Sequence, residues 1–146
     1  MKKRSAASAT GAGRVVECSF LIPVCRDANL GDGDLHPANA WEWLDDELFV
    51  RFDGGTLAPG TYEGFYRDGD TGKRVSDRSR KYLVAVGGHV VDKLREMLVK
   101  ACSVFSQKCI YLSVAGQVEF VAPTHDESLR TKTHETKKTV RRPKRK

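Results

Sequence analysis

The sequence predicts an α/β domain of the ferredoxin-like kind, an α+β sandwich in which a four-stranded antiparallel sheet carries two helices on one face. Three observations predict it. Apolar residues switch between a period of two and a period of about 3.6 in the order β-α-β-β-α-β. Each helical stretch has a single apolar stripe, and both stripes are buried together most simply against one side of one sheet. Right-handed crossovers then give the strand order 4-1-3-2, with all neighbours antiparallel.

The elements follow in order. Val15 to Val24 (VVECSFLIPV) is rich in β-branched and aromatic residues, and Val16, Cys18, Phe20 and Ile22 alternate onto one face. This is strand one. RDANLGDGDLHP turns the chain, and Pro37 suits the first turn of a helix. In ANAWEWLDDELFVRF, residues Trp41, Leu44, Leu48 and Phe52 recur at three- and four-residue spacing, so Trp41 is expected in the core rather than in a ligand cage. RFDGGTLAPG bends the chain. Gly54 and Gly55 follow a helix instead of opening one, so they are expected to stop it and not to cradle a phosphate.

TYEGFYRD reads as strand two, DGDTGK as a hairpin turn and SRKYLVAV as strand three. The Gly-Lys of that turn has Arg67 where a phosphate-binding loop needs glycine. GGHVVDKLREMLVKACSVF places Val91, Leu94, Met97 or Leu98, Ala101 and Phe105 on one face of a second helix. CIYLSV is strand four, and QVEFV either continues it past a bulge or adds a short fifth strand.

A chain of 146 residues suits one domain, and no apolar run approaches the roughly 20 residues of a membrane-spanning helix. Its net charge of +6 is unevenly placed. Residues 1–13 hold three basic groups and no acids, and residues 125–146 hold nine basic groups and three acids. Residues 14–124 hold 13 basic and 16 acidic groups. The expected organisation is a disordered basic leader (1–13), the folded domain (14–124) and a disordered basic tail (125–146). MKKRSAASATGAGR lacks the apolar segment of a signal peptide, so a cytoplasmic protein is expected. In the tail, Lys137, Lys138, Arg141, Arg142, Lys144, Arg145 and Lys146 are candidates for non-specific, salt-dependent nucleic-acid contact.

Metal chemistry finds little support. Cys18 and Cys25, like Cys102 and Cys109, stand too far apart for a zinc knuckle, and reduced thiols are expected. Asp27, Asn29 and Gly31 imitate a calcium loop, but Asp32 and Ala38 occupy its two most demanding positions.

FVRFDGGT, GFYRDGDTGKRVSDRSRKYLVAV and VFSQKCIYL together resemble a bacterial family of small ferredoxin-like proteins catalogued only as a domain of unknown function. The resemblance falls on Arg51, Phe52, Gly54 and Thr56, on Gly64, Tyr66, Arg67 and Asp68, on Ser79, and on Phe105 and Gln107. It departs at Tyr66, where tryptophan is usual, and at Asp77, where glutamate is usual. It implies the fold and no activity.

The expected topology gathers Arg26, Asp27, His36, Arg67, Asp77, Ser79, Arg80 and Gln107 at one end of the sheet. Guanidinium groups, an imidazole and an amide in one place suit a carboxylate or phosphate ligand. No nucleophile, base and orienting acid can be assembled from spacing, so no catalytic residue and no cofactor is assigned. The expected function is a non-enzymatic binding or assembly module, a homodimer through its open sheet face, with basic ends touching nucleic acid. The alternative is a small enzyme or anionic-metabolite sensor using the Arg67, Arg80 and Gln107 edge.

Overall fold

A computed structural model describes residues 14–123. The elements are β1 (Val15–Pro23), α1 (Ala38–Phe52), β2 (Thr56–Leu57), β3 (Tyr62–Arg67), β4 (Arg74–Gly87), α2 (Val91–Val104), β5 (Ile110–Val114) and β6 (Gln117–Val121), with a 3-10 turn at Gly88–Val90 leading into α2. They form an α+β structure with one antiparallel sheet and two helices.

Alternation in β1 decides which side of the sheet is inside. Cys18, Phe20 and Ile22 are buried while their neighbours are partly exposed. Phe20 lies opposite Tyr82 of β4 and Leu112 of β5, and its ring stacks on Tyr82 with centroids 5.3 Å apart. Leu44 and Leu48 of α1 and Leu94, Met97, Leu98 and Ala101 of α2 join the same buried cluster, so both helices cover one face. The opposite face is left open.

The expected four-stranded ferredoxin-like layout is corrected: the sheet has six strands, in the order β2-β4-β1-β5-β6 with β3 also on β4. The physical cause is the length of β4. Its 14 residues pair with β1 along one edge and leave the other long enough for β3 at one end and β2 at Tyr82 and Leu83. At the other side of the sheet Ala115 and Gly116 both take positive φ, 50° and 87°. That is the signature of a two-residue hairpin, so QVEFV returns as β6 along β5 instead of extending it.

RFDGGT ends α1. Asp53 takes the left-handed conformation at φ 66°, its amide bonds to the carbonyl of Phe49, and the Gly54 amide bonds to that of Leu48. These amides close the helix. A Cβ at Gly55 would meet Leu48 Cδ1 at 3.2 Å, so the bend packs closely on the core before β2 begins.

None of the described helices is long and apolar enough to cross a membrane. The expected leader, and the tail with its seven candidate nucleic-acid residues, lie outside the described residues.

Candidate functional site at the β3-β4 end of the sheet

In antiparallel strands, residues directly opposite one another share a face. Tyr62 lies opposite Ser79, Gly64 opposite Asp77 and Tyr66 opposite Val75. Arg80 and Tyr82 point to the helix side, where Tyr82 joins the core. Tyr62, Gly64, Tyr66, Asp77 and Ser79 therefore line the open face.

Asp77 is the unusual member. It is partly buried, and no hydrogen bond or ion pair holds it among the described residues. Burial alone pushes its carboxyl above the usual value of 3.8. Gly64 leaves space across the ladder, since a Cβ there would meet Asp77 Oδ1 at 3.6 Å. The Tyr66 phenol is also raised, first by burial and then by the carboxylates of Asp27, Asp77 and Asp68, with Lys108 opposing.

Three connections bring these groups together. The loop after β1 presents Asp27, whose amide bonds to the carbonyl of Ser106 at 2.9 Å. The β3-β4 turn presents Asp68, which accepts from the amide of Asp70 and the hydroxyl of Thr71, and these bonds lower its carboxyl. The α2-β5 connection presents Lys108, with Nζ 3.5 Å from Asp70 and 4.0 Å from Asp68. Three carboxylates and one ammonium act on the phenol, so the charges acting on Tyr66 sum to a negative one. That charge suits a cationic group on a small molecule.

The predicted site residues are divided by the sheet. Asp77, partly buried, and Ser79, buried, lie on the side of the sheet away from the helices. On the helix side Arg80 lies over Trp41, its guanidinium carbon 3.9 Å from the ring centroid. Burial raises the Tyr82 phenol and Arg80 opposes it, yet Tyr82 Oη has no hydrogen-bond partner among the described residues. His36 sits edge-on to Trp41 and Phe105. Gln107 donates from Nε2 to the carbonyls of Cys25 and Phe105, each at 2.9 Å. Arg67 donates to the carbonyl of Gly72 at 2.9 Å. Arg26 grips Asp32 with two bonds of 2.7 and 3.1 Å, and that pairing pulls the Asp32 carboxyl down to about 2. The three guanidinium groups thus have partners within the chain, and Tyr66, Asp68 and Lys108 are the site residues absent from the cluster expected from sequence, Lys108 having no expected role at all. Its place beside Gln107 in the same connection was the available signal.

All four cysteines are unpaired; Cys18 and Cys102 are buried, and burial pushes the Cys102 thiol up to about 12. No group of three or more metal-ligating side chains occurs among the described residues.

This sheet with two helices on one side defines the class of the chain as an α+β sandwich, and solved structures match that fold. The particular solved structures are of phage SAM lyase. In complex with S-methyl-5′-thioadenosine, that enzyme matches with a TM-score of 0.57 and 11% identity, over 74% of this chain and 89% of its own. In its apo state it matches with a TM-score of 0.50 and 11% identity, over 75% and 87%. No protein-family model and no curated protein matches the sequence. The expectation of a non-enzymatic binding or assembly module is corrected here: the solved structures that this chain resembles, at 11% identity, are of a phage SAM lyase.

Proposed function

We propose that this chain is a small enzyme that acts on a sulfonium metabolite of the SAM type, with its site at the open face where Asp77 and Tyr66 meet Asp27 and Lys108. The observation that carries the reading is Asp77: a partly buried carboxyl without a partner among the described residues, on a fold that resembles that of a phage SAM lyase. An unengaged buried carboxylate is costly to keep, and such groups cluster where chemistry is done.

SAM carries a positive sulfur. S-Methyl-5′-thioadenosine is the neutral thioether that remains when the bond from sulfur to the aminobutyrate arm breaks with its electron pair kept on sulfur, the arm's own carboxylate bonding to the vacated carbon to close a lactone. In this reading the Asp77 carboxylate faces the sulfonium and holds the substrate by charge. The Tyr66 phenol donates a hydrogen bond to a substrate oxygen. Lys108 and Asp68 fix the hairpin that carries Tyr66, and Asp27 closes the site from the β1 loop.

Incubating the full chain with SAM and measuring release of S-methyl-5′-thioadenosine tests this. Release is expected, with a loss of at least about 100-fold in Asp77→Asn, the scale seen when one stabilising group is removed from a reacting centre. Arg80→Ala, on the other side of the sheet, should retain activity. No release from the unaltered chain overturns the reading. A thermal shift with anionic metabolites that disappears in Arg80→Ala would instead favour the guanidinium side.

We also propose that copies of the chain associate through the open sheet face, which carries Tyr111, Val118 and Phe120.

A further inference from the structure

The loop from Val24 to Pro37 is fastened by backbone bonds. Val24 N bonds to Arg78 O, Arg26 N to Asp34 O, Asp27 N to Ser106 O and His36 N to Val24 O. A single imidazole completes the fastening. His36 is 8% exposed, and its Nε2 donates to the carbonyl of Pro23 at 2.8 Å. Its ring lies edge-on to Trp41 of α1 and to Phe105 at the end of α2, with centroids 5.5 and 4.8 Å away.

That geometry sets the charge state. With Nε2 donating, the ring is neutral and Nδ1 is the acceptor, yet Nδ1 is buried and has no partner among the described residues. A second proton would be placed there with nothing to receive its hydrogen bond. The charged groups acting on the ring are Arg26 of its own loop and Arg80 of β4, both cationic, while α1 and α2 present the uncharged Trp41 and Phe105.

We propose that His36 is a pH-sensitive latch. Neutral, it holds the Val24 to Pro37 loop against the sheet; protonated, it frees the loop and withdraws Asp27 from the open-face site. Burial pushes the imidazole below its ordinary 6.5; the bond to the Pro23 carbonyl opposes this, and Arg26 and Arg80 add to the lowering. The open loop therefore binds the proton more readily than the closed one. Closure is fully favoured above about pH 6.5 and weakens as pH falls from there through the lowered value. The consequence for catalysis rests on the enzymatic reading above, whereas the latch itself does not.

Amide hydrogen exchange of the full chain without SAM, followed by NMR at about pH 7.5 and pH 5.5, tests it. After correction for intrinsic exchange rates, opening at Arg26, Asp27 and His36 is expected to rise up to about tenfold at the lower pH. Phe20 and Val84 in the sheet centre should keep their protection. His36→Gln retains a donor for the Pro23 carbonyl and does not titrate, so its loop should open equally at both values. Unchanged protection in the unaltered chain, or the same rise in His36→Gln, overturns the latch. Should the glutamine variant fail to fold, the ring resonances of the unaltered chain decide. A His36 midpoint different from that of loop opening overturns the proposal. Absent SAM cleavage in samples with an intact latch would remove the enzymatic reading alone.

Discussion

At the residue scale, Asp77 sets stability against chemistry. Burial raises its carboxyl, so the folded chain binds that proton more tightly than the unfolded chain does. The stability of the protonated form is present below the ordinary value of 3.8 and is lost as pH rises through the raised one. At neutral pH the ionised group therefore works against folding. Asp77→Asn removes the charge and keeps the shape, so it should raise stability by about 0.5 to 1 kcal/mol, seen as a higher melting temperature, while SAM cleavage is lost. A residue kept only to pair with neighbours would do the reverse, since its amide variant would melt earlier.

At the scale of elements, the junction of α2 with β6 depends on Arg95. Its guanidinium makes two 2.8 Å bonds to Glu119 and one of 2.7 Å to Asp92, raising the Arg95 group and lowering the Glu119 carboxyl. Both Arg95 and Glu119 are more than a third exposed, so solvent screening holds the gain to about 0.5 to 1 kcal/mol. Arg95→Ala should lower the denaturation midpoint by that amount at low salt and by less at high salt. Glu119 adds the pH sign: its contribution is present above the ordinary 4.5 and lost as pH falls through the lowered value. This junction also shows where the sequence is readable and where it is not. The stripes Leu44 and Leu48, and Leu94, Leu98 and Ala101, are regular and long, and both helices lie where those stripes place them. Thr56 and Leu57 make a two-residue strand, too short for any period, and β2 exists only because β4 offers it an edge.

At the scale of the molecule, the topology expected from sequence places distant loops at one end, and there the charges of Asp27, Asp77 and Lys108 all act on Tyr66, although Lys108 is not among the expected residues. It could not tell which side of the sheet each polar group takes, because Arg80 alternates away from Ser79 and only the helix layer reveals which side is closed. The other side has a consequence of its own. Leu21 lies opposite Tyr111, Tyr111 opposite Phe120 and Ser113 opposite Val118, so these side chains stand on the open face. Phe120 is 66% exposed and packs edge-on against Tyr111 at 5.8 Å. Lys81 reaches over Tyr62 on the same face, with Nζ 5.4 Å from the ring centroid. A contiguous apolar strip with a polar rim is the composition of a protein interface, and aromatic residues at its centre carry most of the affinity. Self-association through this strip should make the mass measured by light scattering rise with concentration. Phe120→Ser should weaken it by at least about tenfold, which corresponds to roughly 1.4 kcal/mol of association energy. The same substitution should leave the melting temperature of the isolated chain nearly unchanged, because Phe120 lies outside the buried cluster. A mass that stays at one chain across the concentration range would remove the strip as an interface.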